Sequence, residues 1–356
     1  MTTTVRTLAT ALLAVVLLAG LIAPEPVFAQ NKVGTTAAPF LTIGIGTRPQ
    51  AMGGAFVAVA DDANALYWNP AGLGNLNQME MLLVHSTWLA DMNFEYIGAV
   101  FPMGAAGTVG LSTTLLNVGE MEQTTVLQQD GTGLFFNSYD LAIAGHYAYR
   151  FYDKFSIGGT VKYVHQKIWN EKASGYAFDI GTLFVTPFKD MRLGMNISNF
   201  GSKMQMSGKD LLVYHDPDAS REGNNELVTA EYETDQWKLP LTLRLGVSGE
   251  FIQTQSHRLT YAADWVVPND NTESYNVGME YGFQEMYFLR AGLRSMRPGT
   301  YDEEFNLFEP DNGGGFTFGG GLVFNISGMF GLGVDYAFES FDRLGNVHKY
   351  SLNLKF

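Results

Sequence analysis

The chain of 356 residues contains no cysteine. That absence excludes a disulfide framework, thiolate metal sites and a lipid anchor built on an N-terminal cysteine, and it is compatible with export through an oxidising compartment. Charge is also scarce. Asp, Glu, Lys and Arg make up 16% of the residues, against about a quarter in an average soluble domain. The balance is acidic, 22 basic against 36 acidic residues and a net charge of −14. Nucleic acid is therefore excluded as a partner, because phosphate binding needs a basic face. Beyond the first few tens of residues, no apolar run is long enough for a transmembrane helix.

What is present is an apolar, aromatic and glycine-rich chain, with 13% aromatic residues and 40 glycines. Arg6, the apolar run Leu8–Ile22 and the small-x-small site Val27-Phe28-Ala29 read as a secretory signal peptide over 1–29, cleaved before Gln30. Removing it leaves the net charge unchanged, since Arg6 and Glu25 cancel.

From about Met79 to the end, segments of roughly ten residues alternate with period two, as membrane strands do. Tyr139, Leu141, Ile143, Gly145, Tyr147 and Tyr149 alternate with Asp140, Ala142, Ala144, His146, Ala148 and Arg150, and Tyr275, Val277, Met279, Tyr281 and Phe283 oppose Asn276 and Glu280. A pleated strand sends alternate side chains to opposite faces, so each segment has one apolar and one polar face. About fourteen strands are predicted, beginning near residues 79, 92, 107, 136, 155, 174, 190, 238, 257, 274, 286, 316, 329 and 346. The long connections, near 118–135, 200–237 and 297–315, follow the third, seventh and eleventh strands. They therefore share one rim, and short turns occupy the other, which is the habit of outer-membrane barrels.

The fold class is thus all-β, a transmembrane antiparallel β-barrel of about 14 strands. Its apolar face is expected to meet lipid and its polar face the lumen. Aromatic residues near segment ends (Trp88, Phe101, Phe151, Tyr152, Trp169, Trp237, Trp265, Phe330 and Phe341) are expected in interfacial girdles. The last strand, Tyr350-x-Leu352-x-Leu354-x-Phe356, resembles the C-terminal signal read by the barrel-assembly machinery, a partner during insertion.

Residues 30–78 do not alternate and read as a compact N-terminal hatch, or plug, preceding a barrel domain of residues 79–356. Glycine runs such as Gly44-Ile45-Gly46 and Met52-Gly53-Gly54 lack the strand–loop–helix setting of a dinucleotide fingerprint. They suit close backbone approach in a crowded lumen. A short helix is predicted over 61–67, ending before Pro70.

The stretch RPQAMGGAFVAVADDANALYWNPAGL, with GGTVKYVHQKI, SGYAFDIGTLF, MNISNFG, LPLTLRLGVS, YGFQEMYFLRAGLR and YSLNLKF, resembles the FadL-like outer-membrane proteins, and within them the PorV/PorQ branch. The resemblance implies a hatch that carries Arg48, Asn69, Pro70 and Ala71 inside a fourteen-strand barrel. It also implies one of two roles. PorV-like proteins bind or shuttle secreted cargo proteins in type IX secretion, and FadL-like proteins pass long-chain fatty acids or other hydrophobic molecules. The second role calls for a luminal or lateral cavity and is suggested also by apolar Leu82, Val84 and Phe101 in the first strands.

No enzyme is predicted. His85, His146, His165, His215, His257 and His348 are scattered, with no carboxylate or second histidine at ligand spacing, so neither a metal site nor a cofactor is expected. Acidic loop residues such as Asp216, Asp218, Asp302 and Glu303 have no EF-hand spacing. The candidate functional group is a lumen charge network of Asp140, Arg150, Lys162, Asp179, Arg192, Arg244, Asp264, Glu280, Arg290 and Arg294. Unpaired charges are costly to bury, so these are expected to pair with one another or with Arg48, Asp61 and Asp62.

Overall fold

The alternating segments become strands, and the strands close into a ring. The structure, a computed structural model, describes residues 34–218, 220, 227–296, 315–326, 330–341 and 344–356. The expected signal peptide and nearly all of the expected loop 297–315 lie outside them. Among the described residues fourteen strands form the barrel: β1 (Glu80–Thr87), β2 (Asn93–Pro102), β3 (Thr108–Glu122), β4 (Phe135–Tyr152), β5 (Phe155–Ile168), β6 (Glu171–Val185) and β7 (Arg192–Gly201), then β8 (Thr242–Gln253), β9 (His257–Pro268), β10 (Ser274–Phe283), β11 (Tyr287–Met296), β12 (Gly315–Ile326), β13 (Phe330–Ser340) and β14 (Asn346–Lys355).

Each strand is antiparallel to its neighbours in the chain. The ring closes where β1 pairs with β14, from Glu80 opposite Lys355 to Thr87 opposite His348. Closure leaves no unpaired backbone edge, a condition that any spanning sheet must meet in hydrocarbon. Strand starts lie close to those expected. The largest displacement is at β8, which begins after Pro240, because proline has no N–H to donate to a ladder. The β7–β8 connection is not a plain loop. Met204–Gln205 pairs with Gln236–Trp237, and Leu212–His215 pairs with Val228–Glu231.

Exposure is inverted relative to a water-soluble protein. Ile97, Leu111, Ile143, Val161 and Ile180, on five successive strands, are all about half exposed, while Glu280, Glu339 and Lys349 are fully buried. A soluble monomer rarely shows a contiguous apolar surface above a few hundred Å². Here the apolar face runs around the outside of the ring, and lipid is the solvent that fits it. Among the described residues no helix is long and apolar enough to cross a membrane; the strands do so.

The N-terminal residues lie against the inward faces. Short helices α1 (Thr47–Ala51) and α2 (Ala65–Trp68) and two 3-10 turns, Pro39–Thr42 and Pro70–Asn75, carry it. The predicted helix over 61–67 is shorter and shifted, since Asn69 turns extended before Pro70. Hydrogen bonds tie the segment to strands on opposite sides of the ring. Gly53 N–H donates to Thr317 Oγ1 (3.0 Å) on β12, Asn69 Nδ2 to Thr182 O (3.0 Å) on β6, and Lys349 Nζ on β14 to Gly44 O (2.8 Å). Phe40, Leu41, Leu66 and Leu73 pack with Leu82, Val84, Phe94 and Tyr96 of the first strands. Leu82 and Val84 therefore fill the interior core rather than line a cavity, and Phe101 points outward.

Glycines permit this close packing. A methyl at Gly158 on β5 would overlap the carbonyl of Pro70, whereas one at Gly145, on the outer face of β4, would meet nothing within 4 Å. Gly158→Ala is expected to destabilise the folded barrel by about 1–3 kcal/mol, the usual cost of overpacking, and Gly145→Ala to leave it unchanged. The temperature of the heat-induced shift in electrophoretic mobility measures both. Equal temperatures would mean that Pro70 does not press on β5.

Candidate functional site

The segment divides the lumen into two chambers. On the long-loop side, a chamber of about 480 Å³ is bounded by Gln50, Gly53, Gly54 and Trp68 below and by Trp88, Arg244, Arg294 and Phe341 around it. On the short-turn side, a chamber of about 340 Å³ is lined by Arg48, Asp61, Asp62, Arg258, Arg290 and Asp335. Helix α1 stands between them, with Arg48 in the wall of one chamber and Gln50 in the wall of the other. Trp88 and Phe341 were expected in the aromatic girdle; they face the lumen instead. Each has the inward parity of its strand, continuing Leu82, Val84 and Ser86 in the one case and Asp335, Ala337 and Glu339 in the other.

The short-turn chamber is organised on one carboxylate. Glu280 Oε2 accepts from Arg48 Nε (2.8 Å) and Arg290 Nε (2.6 Å), and its Oε1 accepts from Arg48 Nη2 (2.9 Å) and Arg258 Nη1 (3.0 Å). Glu280 therefore joins the N-terminal segment to β9, β10 and β11. The bonds from Arg48 are bidentate, the geometry that fixes orientation best. Arg48 Nη1 also reaches Asp61 (2.6 Å) and Asp62 (2.7 Å), and Arg290 continues to Asp335 (2.5 Å).

Burial works to lower the Arg48 pKa, but Asp61, Glu280 and Asp62 outweigh it and hold the guanidinium above its usual value. Burial likewise acts to raise Asp61, and the charges of Arg48 and Arg192 bring its carboxyl below the ordinary range. A depressed carboxylate contributes stability above its unfolded pKa and loses it as pH falls through the folded value. Acid therefore loosens the Asp61 contact only as pH falls through that lowered value, while Arg48 keeps its charge.

The other expected network residues separate into distinct groups. Lys162 Nζ meets Asp179 (2.7 Å) and Asn199 Oδ1 (2.8 Å), and Arg192 meets Glu250 (3.0 Å) and Asp61 (3.7 Å). Asp264 has no cation within ion-pair distance among the described residues. Its Oδ2 accepts the backbone N–H groups of Phe56 (2.8 Å) and Val57 (3.0 Å). Asp140 accepts from Gln166 Nε2 (3.0 Å) rather than from a cation. Arg150 departs furthest from expectation: it has inward parity but lies two residues from the end of β4, is exposed, and makes no ion pair among the described residues. At the rim, water replaces the missing partner.

Asn69, Pro70 and Ala71 act as a wedge. Asn69 Nδ2 donates to Val57 O (2.8 Å) and Thr182 O (3.0 Å), its Oδ1 accepts from Ala71 N–H (3.1 Å), and the turn lies against Gly158 and Gly181. Other charged residues, Glu250 among them, were not anticipated. Lys349 pairs with Glu339 (2.9 Å), and Lys355 with Glu80 (2.9 Å). Strand parity alone marks Lys349, Glu339 and Glu80 as inward, so the signal was in the alternation.

Comparison with solved structures shows the fold. Over 88% of this chain, the Pseudomonas putida toluene transporter TodX aligns with 13% identity, 96% of its own chain and a TM-score of 0.53. A Pseudomonas aeruginosa FadL homologue aligns over 88% of this chain and 98% of its own, with 14% identity and a TM-score of 0.52. The Ralstonia pickettii toluene transporter TbuX aligns over 88% and 97%, with 13% identity and a TM-score of 0.51. The fold is the one shared by these FadL-like barrels. The profile of an uncharacterised protein family (UPF0164) matches residues 14–179. No curated protein matches the sequence.

Proposed function

We propose that this chain is an outer-membrane barrel, exported by a signal peptide cleaved after Ala29, that passes small hydrophobic or amphiphilic molecules, with residues 30–78 acting as a hatch. The observation that carries the reading is the pair of chambers on either side of α1, inside a fold shared with hydrocarbon transporters. Helix α1 separates the chambers, so passage requires the segment around it to move. Its anchors to the wall are polar: the Arg48–Glu280 pair, the Thr47–Ser351 contact, the bonds of Thr317 with Ala51 O and Gly53 N–H, and that of Lys349 with Gly44 O. Polar contacts of this kind can exchange for water, whereas the apolar packing of Leu66 and Leu73 holds the rest of the segment.

Cells carrying the barrel are expected to take up a labelled aromatic hydrocarbon or long-chain fatty acid faster than cells lacking it. Equal uptake of both classes would remove the reading. A second reading, surface handling of exported proteins as in the PorV/PorQ branch, is favoured by the folded β7–β8 connection, which presents Leu212, Tyr214 and Tyr232 to water on the long-loop rim. It requires that secreted proteins co-purify with the barrel from solubilised membranes and that secretion falls on deletion.

A further inference from the structure

We infer that the long-loop chamber is a binding site for a compact organic anion, a carboxylate or sulfonate on an aromatic body, and that Arg244 is its anion receptor. The inference rests on the passage reading above and names the substrate class. Arg244 is 91% buried (9% exposed) on the inner face of β8 and lines the chamber. It makes no ion pair among the described residues. Its Nη1 donates a long bond to Ser198 Oγ, 3.4 Å, and the guanidinium also acts on the Tyr67 hydroxyl and, at longer range, on the Asp264 carboxylate. On the neighbouring strand, Asp264 Oδ2 is engaged by the N–H groups of Phe56 and Val57, while its Oδ1 is buried without a hydrogen-bond partner among the described residues. Apart from Arg150, exposed at the rim, every other inward guanidinium described above meets a carboxylate within 4 Å. Arg244 instead lies over the rings of Trp68 (5.3 Å) and Tyr67 (5.7 Å).

A second cation points the same way. Arg294 also lines the chamber, and its Nε is buried with no hydrogen-bond partner. Glu339, 3.9 Å from Arg294 Nη1, is already paired with Lys349 at 2.9 Å. Among the described residues neither guanidinium makes an ion pair closer than 3.9 Å, although Asp270 also lines the chamber, and both stand beside the aromatic faces of Trp68, Trp88 and Phe341. A buried guanidinium without a counter-charge is costly. An incoming carboxylate would supply that charge, accepting from the guanidinium fork in bidentate geometry while its ring stacks on Trp68 or Trp88. A neutral hydrocarbon would leave both guanidinium groups as they are. The volume of about 480 Å³ falls within the range of small-ligand sites.

Calorimetric titration of the barrel in lipid nanodiscs tests this with two probes of like shape, 2-naphthoate and naphthalene. Naphthoate is expected to bind at least about tenfold more tightly, and Arg244→Gln to remove that advantage while leaving naphthalene affinity within about twofold. Arg244→Lys keeps the charge but not the fork and is expected to retain part of it. Should Arg244→Gln fail to assemble, wild-type barrel is titrated from about 0.05 to about 0.5 M salt; naphthoate binding alone should weaken. Equal binding of the two probes, or unchanged naphthoate affinity in the Gln variant, overturns the anion site and leaves the passage reading standing. Binding of neither probe overturns both.

Discussion

Joining Thr47→Cys to Ser351→Cys is expected to bring uptake down to the level of cells without the barrel, and reductant is expected to restore it. The two hydroxyl oxygens lie 2.5 Å apart, and both residues are buried, Thr47 at the start of α1 and Ser351 on β14. A disulfide sets its sulfur atoms about 2.05 Å apart with Cβ atoms about 3.5–4.5 Å apart, so the pair needs little rearrangement to close. The natural chain has no cysteine, so this crosslink has no competitor. It fixes the first residue of the helix that separates the two chambers. Each single variant should transport as the unmodified barrel does. If the oxidised double variant transports at full rate, α1 does not have to move.

Removing the charge of Glu280 has the largest expected effect on stability. Its carboxylate is fully buried and accepts from Arg48, Arg258 and Arg290. Glu280→Gln leaves three guanidinium groups around a neutral amide, and the amide N–H₂ donates toward groups that are themselves donors. Breaking a buried ion pair from one side costs about 3–5 kcal/mol. The heat-induced mobility shift should therefore occur at a clearly lower temperature, and residues 36–78 should become sensitive to protease. Adding Arg48→Gln should recover part of the loss, because groups within one network are not additive. Strictly additive losses would mean that Arg48 and Glu280 do not act together.

Most of the barrel was legible because it rests on parity. Lys349, Asp335 and Glu339 lie inward and Tyr350, Val334 and Tyr336 outward by counting alone, since the pleat permits no other arrangement once the strands pair. The same count would have placed Trp88 and Phe341 in the lumen. Ranking them by aromatic character at a strand end sent them to the girdle instead. Arg150 shows the opposite limit. Its parity is inward, but how far it lies below the rim depends on the turn that follows, and that depth decides between a buried partner and water.

The candidate site was less legible than the wall. Asp264 reads as a lumen charge that needs a cation, and in the structure it holds two backbone N–H groups of the N-terminal segment. Ion pairing of the N-terminal segment with the wall joins residues as much as 232 positions apart, as in Arg48 and Glu280. Such pairs depend on how a non-alternating segment folds, and the sequence carries no period from which to read it.

By itself the sequence determined the fold class: fourteen alternating strands and an apolar outer face. Those follow from local stereochemistry and from the solvent that each face must meet. Only the tertiary structure decided that Glu280 gathers three arginines, that α1 stands between two chambers, and that Arg244 makes no ion pair among the described residues. The reason is physical. Ion pairs and cavities are set by distances of a few Å across the lumen, and those distances exist only once the ring has closed on the segment inside it.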